Sequence, residues 1–163
     1  MKSSKHPQMF LSLAERFREA DFVWFGNGEL TGPLNAEAKR RGLSNLRFPG
    51  PLTPERLAEE FRRSSLLVLP SHAEGAPKVA QEAVACGLPV VLNGYYESPT
   101  VIHEVNGLVA WSDEELIAHT GALIHDPEKR RNMGKRGAAM AQDWDWDLIA
   151  PQWEEFVIKL ASR

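Results

Sequence analysis

Four consecutive aliphatic residues, Leu66-Leu-Val-Leu69, stop abruptly at Pro70 and are followed by the loop Ser-His-Ala-Glu-Gly-Ala. An apolar run with no polar alternation suits a parallel strand covered on both faces, and we place it at the centre of a sheet. Such a strand demands helices above and below it, and the flanking sequence supplies them. Thr53-Pro-Glu-Arg56 opens a helix to about Arg63, with Thr53 as cap, Pro54 in the first turn and Glu55 favouring the dipole. Pro77 to Ala85 reads as a second helix, ended by Cys86-Gly87, and Leu88-Pro-Val-Val-Leu92 as the next strand.

The same alternation runs through the chain. Phe10, Leu11, Leu13, Ala14 and Phe17 recur at helical spacing, which predicts a helix over about Gln8–Ala20. Phe22–Phe25 is a short strand closed by the turn Gly26-Asn-Gly28, Pro33–Arg41 a polar helix stopped by Gly42, and Leu46–Phe48 another strand. A last strand is expected near Leu108–Trp111, then helices over Asp113–His125, Pro127–Ala141 and about 147–161. Strands alternating with helices imply an α/β fold with a doubly wound, Rossmann-like parallel sheet. At 163 residues one domain over 1–163 is expected, with no repeat and no dividing linker.

Composition narrows the function. The net charge of −3 argues against a nucleic-acid partner, which normally requires a basic stripe. No apolar run approaches the ~20 residues of a membrane span, so no transmembrane segment is expected. A single cysteine, Cys86, excludes an internal disulfide framework and a multi-cysteine zinc site, and a cytoplasmic location is the default.

Ligands of doubly wound sheets sit beyond the carboxyl ends of the strands, so the Pro70–Lys78 loop is the first place to look. With Pro77 at the first helical position, Ala76 falls at the cap, where its side chain can accept nothing. Lys78 stands in a first turn where an acid would be stabilising. An uncapped start beside Gly75 and Lys78 suits an anion such as phosphate; water or a neighbouring loop is the plain alternative. Glu74 and Glu82 bracket this turn. Eight residues along a helix rise ~12 Å, which weakens a paired-carboxylate glycosidase reading. Two separate acceptors of hydroxyl protons fit better, and ordinary surface glutamates are the other possibility.

Leu67-Val-Leu-Pro-Ser71 followed by Glu74-Gly-Ala-Pro-Lys-Val-Ala-Gln-Glu82-Ala-Val-Ala-Cys-Gly-Leu-Pro-Val-Val91 resembles the signature of family 4 glycosyltransferases of the GT-B fold. Val23-Trp-Phe-Gly-Asn-Gly28, Phe48-Pro-Gly50, Asn106-Gly-Leu-Val109 and the helix after Asp145-Trp146 agree less specifically. The likeness runs from about Lys5 to the chain's end and corresponds to the C-terminal half of a usual member. It implies a nucleoside-diphosphate sugar as donor, retention of anomeric configuration and no metal. Glu74 is then the catalytic residue, its carboxylate accepting hydrogen bonds from hydroxyls of the transferred sugar, and Glu82 accepts those of the ribose hydroxyls. Gly75, Ala76, Pro77 and Lys78 meet the diphosphate or sugar, Lys5 matches the family's phosphate-binding lysine, and the Phe48–Leu52 loop with Gly50 lines the base.

Two departures follow from the same resemblance. The family's first strand, ending in Gly-Arg and lying between Phe22–Phe25 and the Leu66–Leu69 strand, has no counterpart here. An empty central slot and unpaired strand edges are therefore expected. The acceptor-binding N-terminal domain or subunit is also absent, and any peripheral membrane association falls to it. The chain is expected to be a fragment, a misassigned start or one subunit of a split enzyme, inactive alone. A non-catalytic nucleotide-sugar- or partner-binding module is the alternative, and a generic regulatory domain a third. Ser71, His72 and Glu74 lie too close in sequence for a hydrolase relay. Asp143-Trp-Asp145 is expected to cap a helix, Trp144, Trp146 and Trp153 to pack or to leave exposed a face meant for the missing domain, Lys129-Arg-Arg131 to form a solvated face, and His103 to be structural.

Overall fold

The computed structural model describes residues 5–96 and 98–162. In chain order it contains α1 (Met9–Arg16), β1 (Phe22–Phe25), α2 (Thr31–Arg40), β2 (Leu46–Gly50), α3 (Pro54–Arg63), β3 (Leu67–Leu69) and α4 (Lys78–Ala85). There follow β4 (Val90–Asn93), β5 (Gly107–Ala110), α5 (Asp113–His125), α6 (Pro127–Ala141), a 3-10 turn (Gln142–Trp144) and α7 (Trp146–Ala161). The alternation read from sequence is present throughout. Its boundaries shift at α1, which ends four residues early. There the Asn45 side-chain amide lies within hydrogen-bond distance of the Ala14, Phe17 and Ala20 carbonyls and closes the helix from outside.

All strand pairs are parallel, but they form two sheets, β1-β2 and β3-β4-β5, rather than one. The break falls between β1 and β3, where the resemblance leaves an empty slot, and among the described residues no ladder joins those two strands. The expectation of a central β3 is corrected. That strand stands at the edge of its sheet, and the strand paired on both sides with all four residues buried is β4. The aliphatic run misled because covered faces and paired edges are different things. Val68 enters one core while Leu67 and Leu69 face the other, so β3 is covered above and below without being flanked.

The strands divide their side chains between two cores by their period of two. Val91, Leu108 and Ala110 join α1, α2, α5 and the β1-β2 sheet in the first core. Val90, Leu92 and Val109 join α3, α4 and Trp144 in the second. In the first, Phe10 meets Trp24 edge-on with ring centroids 4.9 Å apart and so ties α1 to β1.

Local chemistry sets the other ends. Thr53, Ser112 and Asp126 accept the amides of Arg56, Glu115 and Lys129 and so cap α3, α5 and α6. Asp145 caps α7 by accepting from Asp147, as its position suggested. Lys129-Arg-Arg131 is more than a solvated face: Arg130 donates to the Leu123 and Ile124 carbonyls at the end of α5, and Lys129 pairs with Glu104. His103 is structural, its Nδ1 accepting from the Val109 amide at 3.0 Å. Of the tryptophans expected to pack, Trp144 does so; Trp146 is 70% and Trp153 59% exposed on α7, a helix with no buried residue. None of the described helices is long and apolar enough to cross a membrane.

Helix α6 approaches the end of α4 so closely that a Cβ on Gly134 would lie 2.0 Å from the Gly87 carbonyl oxygen. That oxygen is main chain and cannot rotate away. Gly134→Ala is therefore expected to cost about 3 kcal/mol of stability, read as a lower denaturant midpoint with an unchanged slope.

Candidate functional site

The loop Pro70–Pro77 leaves the carboxyl end of β3 and delivers the chain to α4. Pro77, not Ala76, occupies the cap position, with φ −72° and ψ 93°, and Lys78 is the first helical residue. Proline drives its predecessor into extended backbone, and here Pro77 itself adopts an extended ψ, so the helix begins one residue later than expected. The consequence drawn from the sequence survives the shift. No side chain caps α4 and its first turn carries no acid. The amides of Ala80 and Gln81 turn back to the Pro77 carbonyl, while those of Lys78 and Val79 precede the first intrahelical bond.

Folding brings Lys5 and Glu74 together across 69 residues: Lys5 Nζ donates to Glu74 Oε1 at 2.5 Å. The Glu74 side chain is only 11% exposed, whereas Lys78 and Ala76 are open to solvent and the Pro77 ring is buried. A Cβ on Gly75 would meet nothing within 4 Å, so nothing in the fold requires a glycine there. Glu82 is exposed on α4 and lines a cavity of about 560 Å³ with Gln81, Thr100, Trp144 and Ile149. Among the described residues no hydrogen bond or ion pair joins Glu82 to Glu74 or Lys5. Gly50 closes β2 with φ +96°, its carbonyl accepting from Gly26 at 2.9 Å. Phe48–Gly50 therefore belongs to the strand rather than to a loop, and only Pro51 and Leu52 follow as loop before Thr53.

A second set of polar groups includes Ser71, weighed from the sequence only as part of a hydrolase relay, and three residues not singled out there. Ser71 Oγ, Asn93 Oδ1, Tyr96 Oη and Ser98 Oγ are buried without hydrogen-bond partners among the described residues. Asn93 Nδ2 donates to the Pro70 carbonyl at 2.8 Å, which fixes its oxygen beside the end of β3. Tyr96 and Ser98 line a cavity of about 310 Å³ with Gly94, Tyr95 and Trp111. Buried groups of this kind are ordinarily satisfied, and near the ends of β3 and β4 either water or a polar ligand could satisfy them. The signal available was Pro70-Ser71 after one strand and Asn93 ending the next, polar residues where the strands stop. The Ser71, His72 and Glu74 side chains make no relay: Glu74 is held by Lys5 and Ser71 by nothing described.

Burial, and then the nearby Glu74 carboxylate, push the Tyr96 phenol well above its usual value. A phenol raised on folding keeps its proton in the native state. Its contribution to stability is complete below about pH 10 and is lost as the pH rises beyond that. Tyr96→Phe is expected to flatten the loss of thermal stability above pH 10. At pH 7 it should leave stability unchanged or higher, because the deleted hydroxyl has no described partner. Thermal unfolding across pH 7–11 checks both.

The family model described as Glycosyl transferases group 1 matches residues 1–140. The D-inositol 3-phosphate glycosyltransferase of Segniliparus rotundus is 33% identical over 129 residues, which are 77% of this chain and 29% of that protein. The chain thus spans under a third of that relative's length. The structure superposes on Anabaena HepE in complex with UDP-glucose with a TM-score of 0.81 at 22% identity, over 100% of this chain and 47% of that one. It superposes on the C-terminal domain of the group 1 glycosyl transferase LpcC from Francisella tularensis with a TM-score of 0.74 at 20% identity, over 94% and 82%. A signature around Glu74 and Glu82, a family match over most of the chain and parallel sheets shared with these enzymes lead to one assignment: the chain belongs to the group 1 glycosyltransferases, of family 4 type, and has the fold of the C-terminal domain of GT-B enzymes.

Proposed function

We propose that this chain is the donor-binding half of a retaining glycosyltransferase that takes its sugar from a nucleoside diphosphate. The observation that carries the reading is the Lys5–Glu74 pair set beside the uncapped start of α4. A cation and a covered carboxylate in the loop that leads into an uncapped helix start are the groups that a sugar joined to a diphosphate requires. In this reading the Lys78 and Val79 amides, with Lys5 and the Lys78 side chain, receive the diphosphate and offset the charge that develops on it as leaving group. No metal takes part in the transfer. An incoming phosphate competes with Glu74 for Lys5, and the exchange frees the carboxylate for the hydroxyls of the transferred sugar. Glu82 takes the ribose hydroxyls, and Gly50 with Pro51 and Leu52 borders the base. Anabaena HepE, with the same fold, was crystallised with UDP-glucose, which supports a uridine donor here.

The acceptor belongs to an N-terminal domain or subunit, and without it the chain transfers nothing. Purified chain that transfers sugar at an ordinary turnover rate would end this reading. A second reading, a non-catalytic module that binds a nucleotide sugar or a partner protein, draws on α7, where Trp146, Trp153, Phe156 and Leu160 are all exposed. Both readings place the chain in the cytoplasm, in keeping with its lone Cys86.

Two variants test the donor assignment by titration with UDP- and GDP-sugars, using the chain in its full upstream frame. Glu82→Ala is expected to weaken donor binding by about 1–3 kcal/mol, the scale for leaving polar partners unpaired. Unchanged affinity removes Glu82 from the ribose. Gly75→Ala is expected to keep the parent's melting temperature, since its Cβ enters open space, yet to lower donor affinity about tenfold by blocking close backbone approach. Equal affinity would place the ligand elsewhere.

A further inference from the structure

His6, His72 and Asp113 are remote in sequence, and the fold places one potential ligand atom from each within 4.8 Å of the others. We infer that they form a binding site for a single divalent cation of the zinc type, a site that stands independently of the donor reading. His6 lies just before α1, His72 in the loop after β3, and Asp113 at the first position of α5.

The geometry fits ligands better than hydrogen bonds. His6 Nδ1 lies 3.6 Å from Asp113 Oδ1, beyond hydrogen-bond reach. Two atoms bound tetrahedrally to one zinc ion at ~2.1 Å lie ~3.4 Å apart. His6 Nδ1 is also buried and finds no hydrogen-bond partner among the described residues. Its backbone is held at φ +44°, an uncommon conformation for a residue with a Cβ. The ring of His72 lies against that of His6 at 4.4 Å and meets Tyr95 edge-on at 5.5 Å, two contacts that hold its plane without using its nitrogens. Asp113 is spared from capping α5 because Ser112 does that work, so its carboxylate is available.

Two imidazoles and one carboxylate form a borderline donor set that suits zinc and its neighbours in the first transition row, and not magnesium or calcium. Three protein ligands leave a further position for water. An ion here ties the segment that carries Lys5 to the loop that carries Glu74, one residue from His6 and two from His72, without touching either side chain. It acts as a clasp on the site rather than as part of it.

The test uses the 163-residue chain, stripped with a chelator and titrated with Co²⁺ and then Zn²⁺. One equivalent of Co²⁺ is expected to give the intense visible absorption of a four- or five-coordinate site, and Zn²⁺ to bleach it. Zn²⁺ should raise the melting temperature, and chelator should reverse the rise. His72→Ala and Asp113→Asn should each weaken binding at least tenfold and abolish the visible band. His119→Ala, at a second histidine pair whose ring centroids lie 5.7 Å apart, should change neither. Circular dichroism of the metal-free variants establishes that they fold, and Asp113→Asn decides the matter if His72→Ala does not. No saturable one-to-one binding, a weak octahedral spectrum, or a band that survives Asp113→Asn would overturn the site.

Discussion

Strand β4 is the constraint on which the rest of the structure depends. It is the strand with neighbours on both sides in its sheet and burial along its whole length. Its alternating residues belong to two different cores, Val91 to one and Val90 and Leu92 to the other. Helices must therefore cover both faces. The parallel register Leu69↔Leu92 then puts the end of β3 beside the end of β4. From that edge the 70–77 loop emerges next to Asn93 and Tyr96, and the candidate site is assembled there because the strands finish together.

At that edge lie several groups without a local partner, although α1 and α2 also begin without side-chain caps, and Thr31 Oγ1 and Asn45 Oδ1 are likewise buried without a partner among the described residues. Helices α3, α5 and α6 begin with side-chain caps, and α4 begins with none. Ser71, Asn93, Tyr96 and Ser98 keep buried polar atoms unpaired within a short distance of the same strand ends. Glu74 is largely covered and held by a lysine from the other end of the sequence. The gathering of these groups near one edge of a sheet is in keeping with the proposed donor site.

Much of this was legible in the residues. The caps at Thr53 and Asp145, the strands at Phe22 and Leu46, and the helix stop at Gly42 follow from local chemistry that needs no distant partner. The uncapped turn after β3 was visible because neither Ala76 nor Pro77 can accept an amide proton. Three things were not. The end of α1 depends on Asn45, 25 residues beyond Ala20. The order of strands cannot be read from their hydrophobicity, since β3 and β4 are both aliphatic runs and neither carries a mark of how many neighbours it has. The histidine pair with Asp113 involves three segments that meet only in space.

The sequence by itself determined the class of fold, the positions of most elements, and the two-glutamate signature that led to the glycosyltransferase family. Those properties are local or periodic, and a short window of side chains carries them. Only the tertiary structure decided that β3 stands at the edge of its sheet, that Lys5 reaches Glu74 and that Glu82 opens onto a separate cavity. Each of these depends on contacts between segments far apart in the chain. Their geometry is set by how the helices pack on the sheets, and no local pattern encodes it.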